Sequence, residues 1–349
     1  MKKRDSNLEL LRLVSMFIII LYHFIMPFAS ESYIIKALRD VLHIGVVCFV
    51  LISGYFGIKA NLKGVINLFC LVVFYSLTLY LFSAFYQKSF STKILLTCFF
   101  PFSNNFYWFI IVYIQLYLIA PFVNKAIENL TRRQFIITLF IFAYFCFYLG
   151  LIREQSMLVG GKNLINFIFI YLIGRYIYIY YPVNESSRKT LLKKSITWYF
   201  SIVFFIIFSV GFAPTIISDI VNRLSFPYNS PLLIIMAVLV LNIFRYIKFQ
   251  STIINYFASS ALAIYLIHEN IYFNQFTYAP IRGWYDNQHY LVFALFLMIY
   301  ALFVFILCLL IDKVRVFIVN FLNLEKLSIK TEKLLSPIKI RVLEKIESK

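Results

Sequence analysis

The sequence predicts an all-α, polytopic integral membrane protein with about ten transmembrane helices and both termini in the cytoplasm. Three observations point there. The 349 residues are 62% hydrophobic and 14% charged, with a mean hydropathy of +0.84, too little charge to cover a water-soluble surface of this size. Apolar runs long enough to cross a hydrocarbon core of ~30 Å recur from one end of the chain to the other. The basic residues are also divided unevenly between alternate loops.

The apolar stretches lie near 8–28, 41–58, 65–86, 105–122, 134–152, 164–181, 195–213, 231–245, 254–275 and 290–311. With residue 1 inside, the loops and tail on that side hold 23 Lys or Arg and the opposite loops 8, which leaves Arg12 and Arg175 within spans. This is the positive-inside bias of a chain in the inner (cytoplasmic) membrane. Most of the net charge of +18 is therefore topology, and no basic soluble module exists to make nucleic acid a partner. The basic N-terminus before an apolar run imitates a secretory signal, but the run is long, carries Arg12 and His23, and has no small-residue cleavage site, so it is expected to stay attached.

Residues 1–312 read as one transmembrane domain and 313–349 as a basic cytoplasmic tail. The tail is open to two readings, an amphipathic helix on the inner leaflet or a partly disordered segment. Two outer loops, near 214–230 and 276–289, are long. The five cysteines all fall in apolar stretches, without a CxxC pair or interleaved histidines, and are expected to be buried thiols with no metal.

An ionised group at membrane depth costs ~2.5–3.5 kcal/mol on the insertion scale, so unexplained ones mark a site. The first span carries Glu9, Arg12 and His23. At about 100° per residue, His23 lies about 20° around the helix from Arg12 and Glu9 about 60° from it, so the three share one stripe, with His23 about 16 Å beyond Arg12. That stripe should face the bundle interior, with Glu9 paired to Arg12. An interfacial ion pair and a histidine that merely bonds a neighbouring helix would satisfy the same pattern. The ninth span carries Tyr265, His268 and, just beyond, Glu269, Asn270 and Tyr272. Its histidine–tyrosine face suits a sugar or a partner for His23, and equally a satisfied packing network. His43 and His289 fall near outer span ends and Arg175 near an inner one, where snorkelling accounts for them.

No P-loop, GxSxG elbow, HExxH or GxGxxG stands in a credible setting, which removes ATPase, serine-hydrolase, zincin and dinucleotide readings. The chain instead resembles the membrane-bound acyltransferase-3 family over most of its length. The carriers are the Glu9, Arg12, His23 spacing; Phe49 to Phe56 closing the second span; Trp108 through Tyr113, Tyr117 and Pro121 in the fourth; Leu172 to Tyr176; Tyr228 to Pro231; and Ser260 to His268. Where many members have Arg-x-x-Arg after the second span, this chain has Lys59 and Lys63, point charges without the guanidinium fork.

The resemblance implies transfer of an acyl group, usually acetyl, onto an exported glycan. Acetyl-CoA as co-substrate is expected to dock from the cytoplasm on Arg12, Lys59, Lys63 and Arg175, its arm reaching the level of His23. His23 is then the expected base, with Glu9 and Arg12 completing the catalytic set. On the outer side Trp108, Tyr228, Asn229, Tyr265, His268 and Asn270 are expected to meet the acceptor, a polysaccharide or its lipid-linked precursor, together with Asn104, Asn105, Trp284, Asp286 and Asn287. Polysaccharide-synthesis machinery is a possible partner. A lipid-linked oligosaccharide transporter or a non-catalytic membrane protein is the rival reading, and neither needs an Arg-to-His stripe.

Overall fold

A computed structural model describes residues 5–102 and 107–321; Asn104, Asn105 and the tail beyond 321 lie outside them. Helices α1 (Ser6–Ile25), α2 (Tyr33–Leu42), α3 (Ile44–Phe56), α4 (Leu62–Tyr86) and α5 (Thr92–Cys98) come first. Next come α6 (Trp108–Glu128), α7 (Arg132–Ala143, continued by π-type turns over Tyr144–Ile152), α8 (Leu164–Tyr180) and α9 (Glu185–Phe212). The last are α10 (Thr215–Ser225), α11 (Pro231–Tyr246), α12 (Thr252–Ala258), α13 (Ala261–His268), α14 (Asn274–Asn287) and α15 (Tyr290–Phe321). The described residues contain no strand.

Among the described residues, six helical stretches are long and apolar enough to cross a membrane, beginning at Ser6, Leu62, Trp108, Arg132, Glu185 and Tyr290, and α8 and α11 are shorter apolar helices. The remaining two expected spans take another form. Helix α3 has 13 residues, ended by Gly57 at φ 74°, and is almost wholly buried among its neighbours. The 254–275 stretch is broken after Ala258 and again after His268. Non-helical backbone at such depth is tolerated when protein groups satisfy it. Here Lys313 donates to the Tyr256 carbonyl (2.6 Å) at the first break, and Tyr107 donates to the Leu266 carbonyl (2.9 Å) at the second.

Two spans run longer than their apolar cores. Helix α9 starts at Glu185, with the Asn184 side chain accepting from Ser186 N–H, because Arg188, Lys189, Lys193 and Lys194 occupy turns that water can solvate. Helix α15 runs on past Asp312, whose buried carboxylate accepts from Tyr75 Oη and Arg315 Nε at 2.7 Å each. The long loops expected near 214–230 and 276–289 fold into α10 and α14.

Close backbone packing holds the centre. Gly54 on α3 and Gly174 on α8 face each other's helix, and a Cβ at Gly54 would strike the Tyr171 carbonyl while one at Gly174 would strike that of Leu51. Small residues let membrane helices gain dispersion contact where water supplies no drive. Gly54→Val must therefore push two backbones apart, and we expect it to cost at least ~3 kcal/mol. The check is the yield and thermal midpoint of detergent-purified protein, with Gly211→Ala, where no atom lies within 4 Å of the new Cβ, as control.

Candidate active site

Helix α1 carries the stripe through the centre of the bundle. Near its start Arg12 Nη1 donates to both carboxylate oxygens of Glu9, at 2.8 and 3.0 Å. Glu9 is buried, while the Arg12 side chain is 29% exposed and lies over the Phe56 ring. Arg12 and His23 occupy one unbroken helix, which fixes their separation along the axis at about 16 Å. Both are engaged by protein: Arg12 is held as above, and His23 meets α13.

His23 Nδ1 lies 3.2 Å from His268 Nε2, and His268 Nδ1 lies 2.8 Å from the Ile264 carbonyl oxygen. A carbonyl only accepts, so His268 carries its proton on Nδ1, and in a neutral ring Nε2 is then an acceptor. His23 must therefore donate from Nδ1, which leaves the lone pair on its Nε2 available. Glu269 Oε1 lies 3.1 Å from His23 Nδ1 and accepts from Tyr278 Oη at 2.8 Å. A base held by a second ring, with a carboxylate beside the nitrogen that gains positive charge, is the arrangement general-base catalysis needs.

The same cluster is what a divalent cation would seek. His23, His268 and Glu269 each offer one ligand atom, all within 4.8 Å of one another. A metal would find the lone pair of His268 Nε2 ready and would require His23 to carry its proton on Nε2 in place of Nδ1, so a bound cation and a free His23 base are alternative uses of the cluster.

The expected acceptor residues divide into two groups. Trp108 and Tyr228 stand together, ring centroids 5.1 Å apart, with Lys162 Nζ over the Trp108 ring at 5.0 Å. Burial lowers the Lys162 ammonium from its usual value, opposed by the Glu269 charge, which places this lysine within electrostatic reach of the cluster. Tyr228 also packs on His43, whose ring stacks on Tyr22, the residue before His23. Tyr265 packs edge-on against His268. Asn229 and Asn270 are buried and bond within the protein. Asn229 Nδ2 donates to the Cys146 and Leu158 carbonyls, and Asn270 Nδ2 donates to Tyr107 Oη while its oxygen accepts from Tyr272 N–H. Trp284 packs on Tyr300 and Phe296, and Asp286 pairs with Arg282.

At the other end of the stripe, Arg175 Nη1 donates to the Tyr55 carbonyl at 3.4 Å. A Cβ on Gly57 would come within 2.9 Å of that guanidinium, so glycine makes room for it. Lys59 is exposed and Lys63 half-buried on the segment that follows. Sequence reasoning did not assign Glu269, Tyr278 or Lys162 a role. Glu269 carried the same signal as His268, an ionisable group at depth, but its direction was not legible.

A family model described as an acyltransferase domain matches residues 5–313. No curated protein and no solved structure matches the chain.

Proposed function

The chain belongs to the acyltransferase-3 family, and from that premise we propose that it moves an acetyl group from cytoplasmic acetyl-CoA to a hydroxyl of an exported polysaccharide or its lipid-linked precursor. The observation that carries this reading is the contact of His23 Nδ1 with His268 and Glu269, which leaves Nε2 as the nitrogen that can serve as the base. In this reading both termini are cytoplasmic. Counting the buried α3 and the broken α12–α13 as membrane-embedded gives ten passes, and the end of α1 that holds Arg12 faces the donor.

His23 Nε2 takes the proton from the acceptor hydroxyl as its oxygen attacks the thioester carbonyl. The C–S bond breaks, an oxygen ester forms, and the thiolate of CoA takes the proton back from His23. Glu269 stabilises the imidazolium between these steps. Transfer through an acyl group held briefly on His23 Nε2 uses the same atoms, with deacylation by the hydroxyl as a second step. Arg12 and Arg175 neutralise phosphate charge below, Lys59 and Lys63 add point charges, and the Trp108–Tyr228 wall with Lys162 receives the acceptor.

An oligosaccharide transporter has no use for CoA. We therefore expect CoA at a hundredfold excess over its Kd to stabilise the purified protein by about 2.7 kcal/mol, with EDTA present throughout. A thermal midpoint indifferent to CoA would favour the transporter. Protection that EDTA removes and zinc restores would turn the His23 cluster into a metal centre.

A further inference from the structure

At the end of the bundle where α1 begins, a cavity of about 410 Å³ opens between Asn7, Leu8, Tyr55, Arg245 and Lys248, with Asp5 at its edge. That is within the size range of pockets for nucleotide-sized ligands, roughly 300–1,000 Å³. Arg245 is 4% exposed. Its Nη1 donates to Asn242 Oδ1 at 2.6 Å and its Nη2 to the Tyr181 carbonyl. Both partners are neutral, and its buried Nε has no partner. The guanidinium also stands over the Tyr55 ring at 5.0 Å.

Two more cations meet the same turn. Arg175 donates to the Tyr55 carbonyl and likewise has a buried Nε without a partner, and Arg12 lies over Phe56. Three arginines from α1, α8 and α11 thus surround the last turn of α3. Of the nearby carboxylates, Glu9 pairs with Arg12, Glu185 with Lys248 and Arg188, and Asp5 is exposed at the mouth. None pairs with Arg245 or Arg175. Buried, donor-rich and short of negative charge, this place is built for a phosphorylated ligand.

We propose that the cavity binds the phosphorylated adenosine end of acyl-CoA, with Arg245 as its anchoring phosphate contact and Tyr55 as an aromatic wall. The inference rests on the acyl-CoA reading above and names the donor's seat. Position along α1 supports it: Leu8 precedes Arg12 by about one turn, so a nucleotide at the level of Leu8 sets the diphosphate beside Arg12. The remaining distance of about 16 Å to His23 is within reach of an extended pantetheine arm.

The test uses the full chain in phosphatidylcholine nanodiscs, as wild type, Arg245→Gln and Lys248→Glu. Lys248 is exposed, so the second variant keeps the question open to refutation should the first fold poorly. Adenosine 3′,5′-bisphosphate is expected to compete with acetyl-CoA. Each variant is expected to raise the KM for acetyl-CoA and the bisphosphate inhibition constant by about tenfold, the worth of one charged contact, with kcat within about twofold. The KM for acetyl-pantetheine, which lacks the nucleotide, should stay constant across all three. Unchanged acetyl-CoA KM in both variants overturns the seat while leaving the donor intact. So does a wild-type KM that climbs when phosphatidylglycerol is added, which would make a lipid headgroup the occupant. Wild-type protein that does not turn over acetyl-CoA removes the donor reading itself.

Discussion

His23→Ala is expected to lower kcat for acetyl transfer by about 10²- to 10⁴-fold, the usual worth of a positioned general base, without unfolding the protein. The loss belongs to chemistry because the imidazole packs at the edge of α13 and is 15% exposed, so its removal opens no large core cavity. Membranes given labelled acetyl-CoA report the rate, and the thermal midpoint of the purified variant reports the fold. Acetylation within threefold of wild type, at equal protein level, would end the role given to this histidine.

Glu269→Gln is the second large effect, expected at about 10²-fold in kcat with little change in KM for acetyl-CoA. The substitution keeps shape and a hydrogen-bond acceptor for Tyr278 but removes the negative charge 3.1 Å from His23 Nδ1, where positive charge develops in the transition state. Because the carboxylate acts only through the imidazole, the double variant with His23→Ala should be no slower than His23→Ala alone. Additive losses would mean that Glu269 works elsewhere, on the acceptor or in holding α14 through Tyr278.

Part of the site is legible in the sequence. The Glu9–Arg12–His23 stripe was legible because helical angle and the cost of charge at depth are both properties of one continuous segment, and α1 is continuous from Ser6 to Ile25. What joins distant segments was harder to read. Tyr265 and His268 could be set on one helix face, but whether that face met His23 depended on how α13 packs against α1. Asn229 and Asn270 read as sugar ligands because an exposed amide and a buried one have the same letter; in the fold both are buried, Asn229 donating to backbone carbonyls and Asn270 to the Tyr107 hydroxyl. Arg245 and Lys248 read in the sequence as topological charge of an inner loop, and nothing in that loop shows that Arg245 is buried beside the Tyr55 ring with a nitrogen unmatched. The burial of Asp312 on α15 was hidden for a similar reason: its charge partner Arg315 is three residues away, but the tyrosine that donates to it, Tyr75, lies 237 positions away.

The brevity of α13 has a mechanical consequence. Its eight residues carry His268, and a lysine from α15 and a tyrosine from α6 clamp the chain before and near the end of it. A bilayer that thins or thickens exerts its stress on long, lipid-facing rods, which respond by tilting. A short rod fully sheathed by protein and fastened at both tips feels that stress only through its fasteners. His268 is thereby set in place by protein contacts, and a change in lipid length reaches the histidine pair through the long α1 that carries His23.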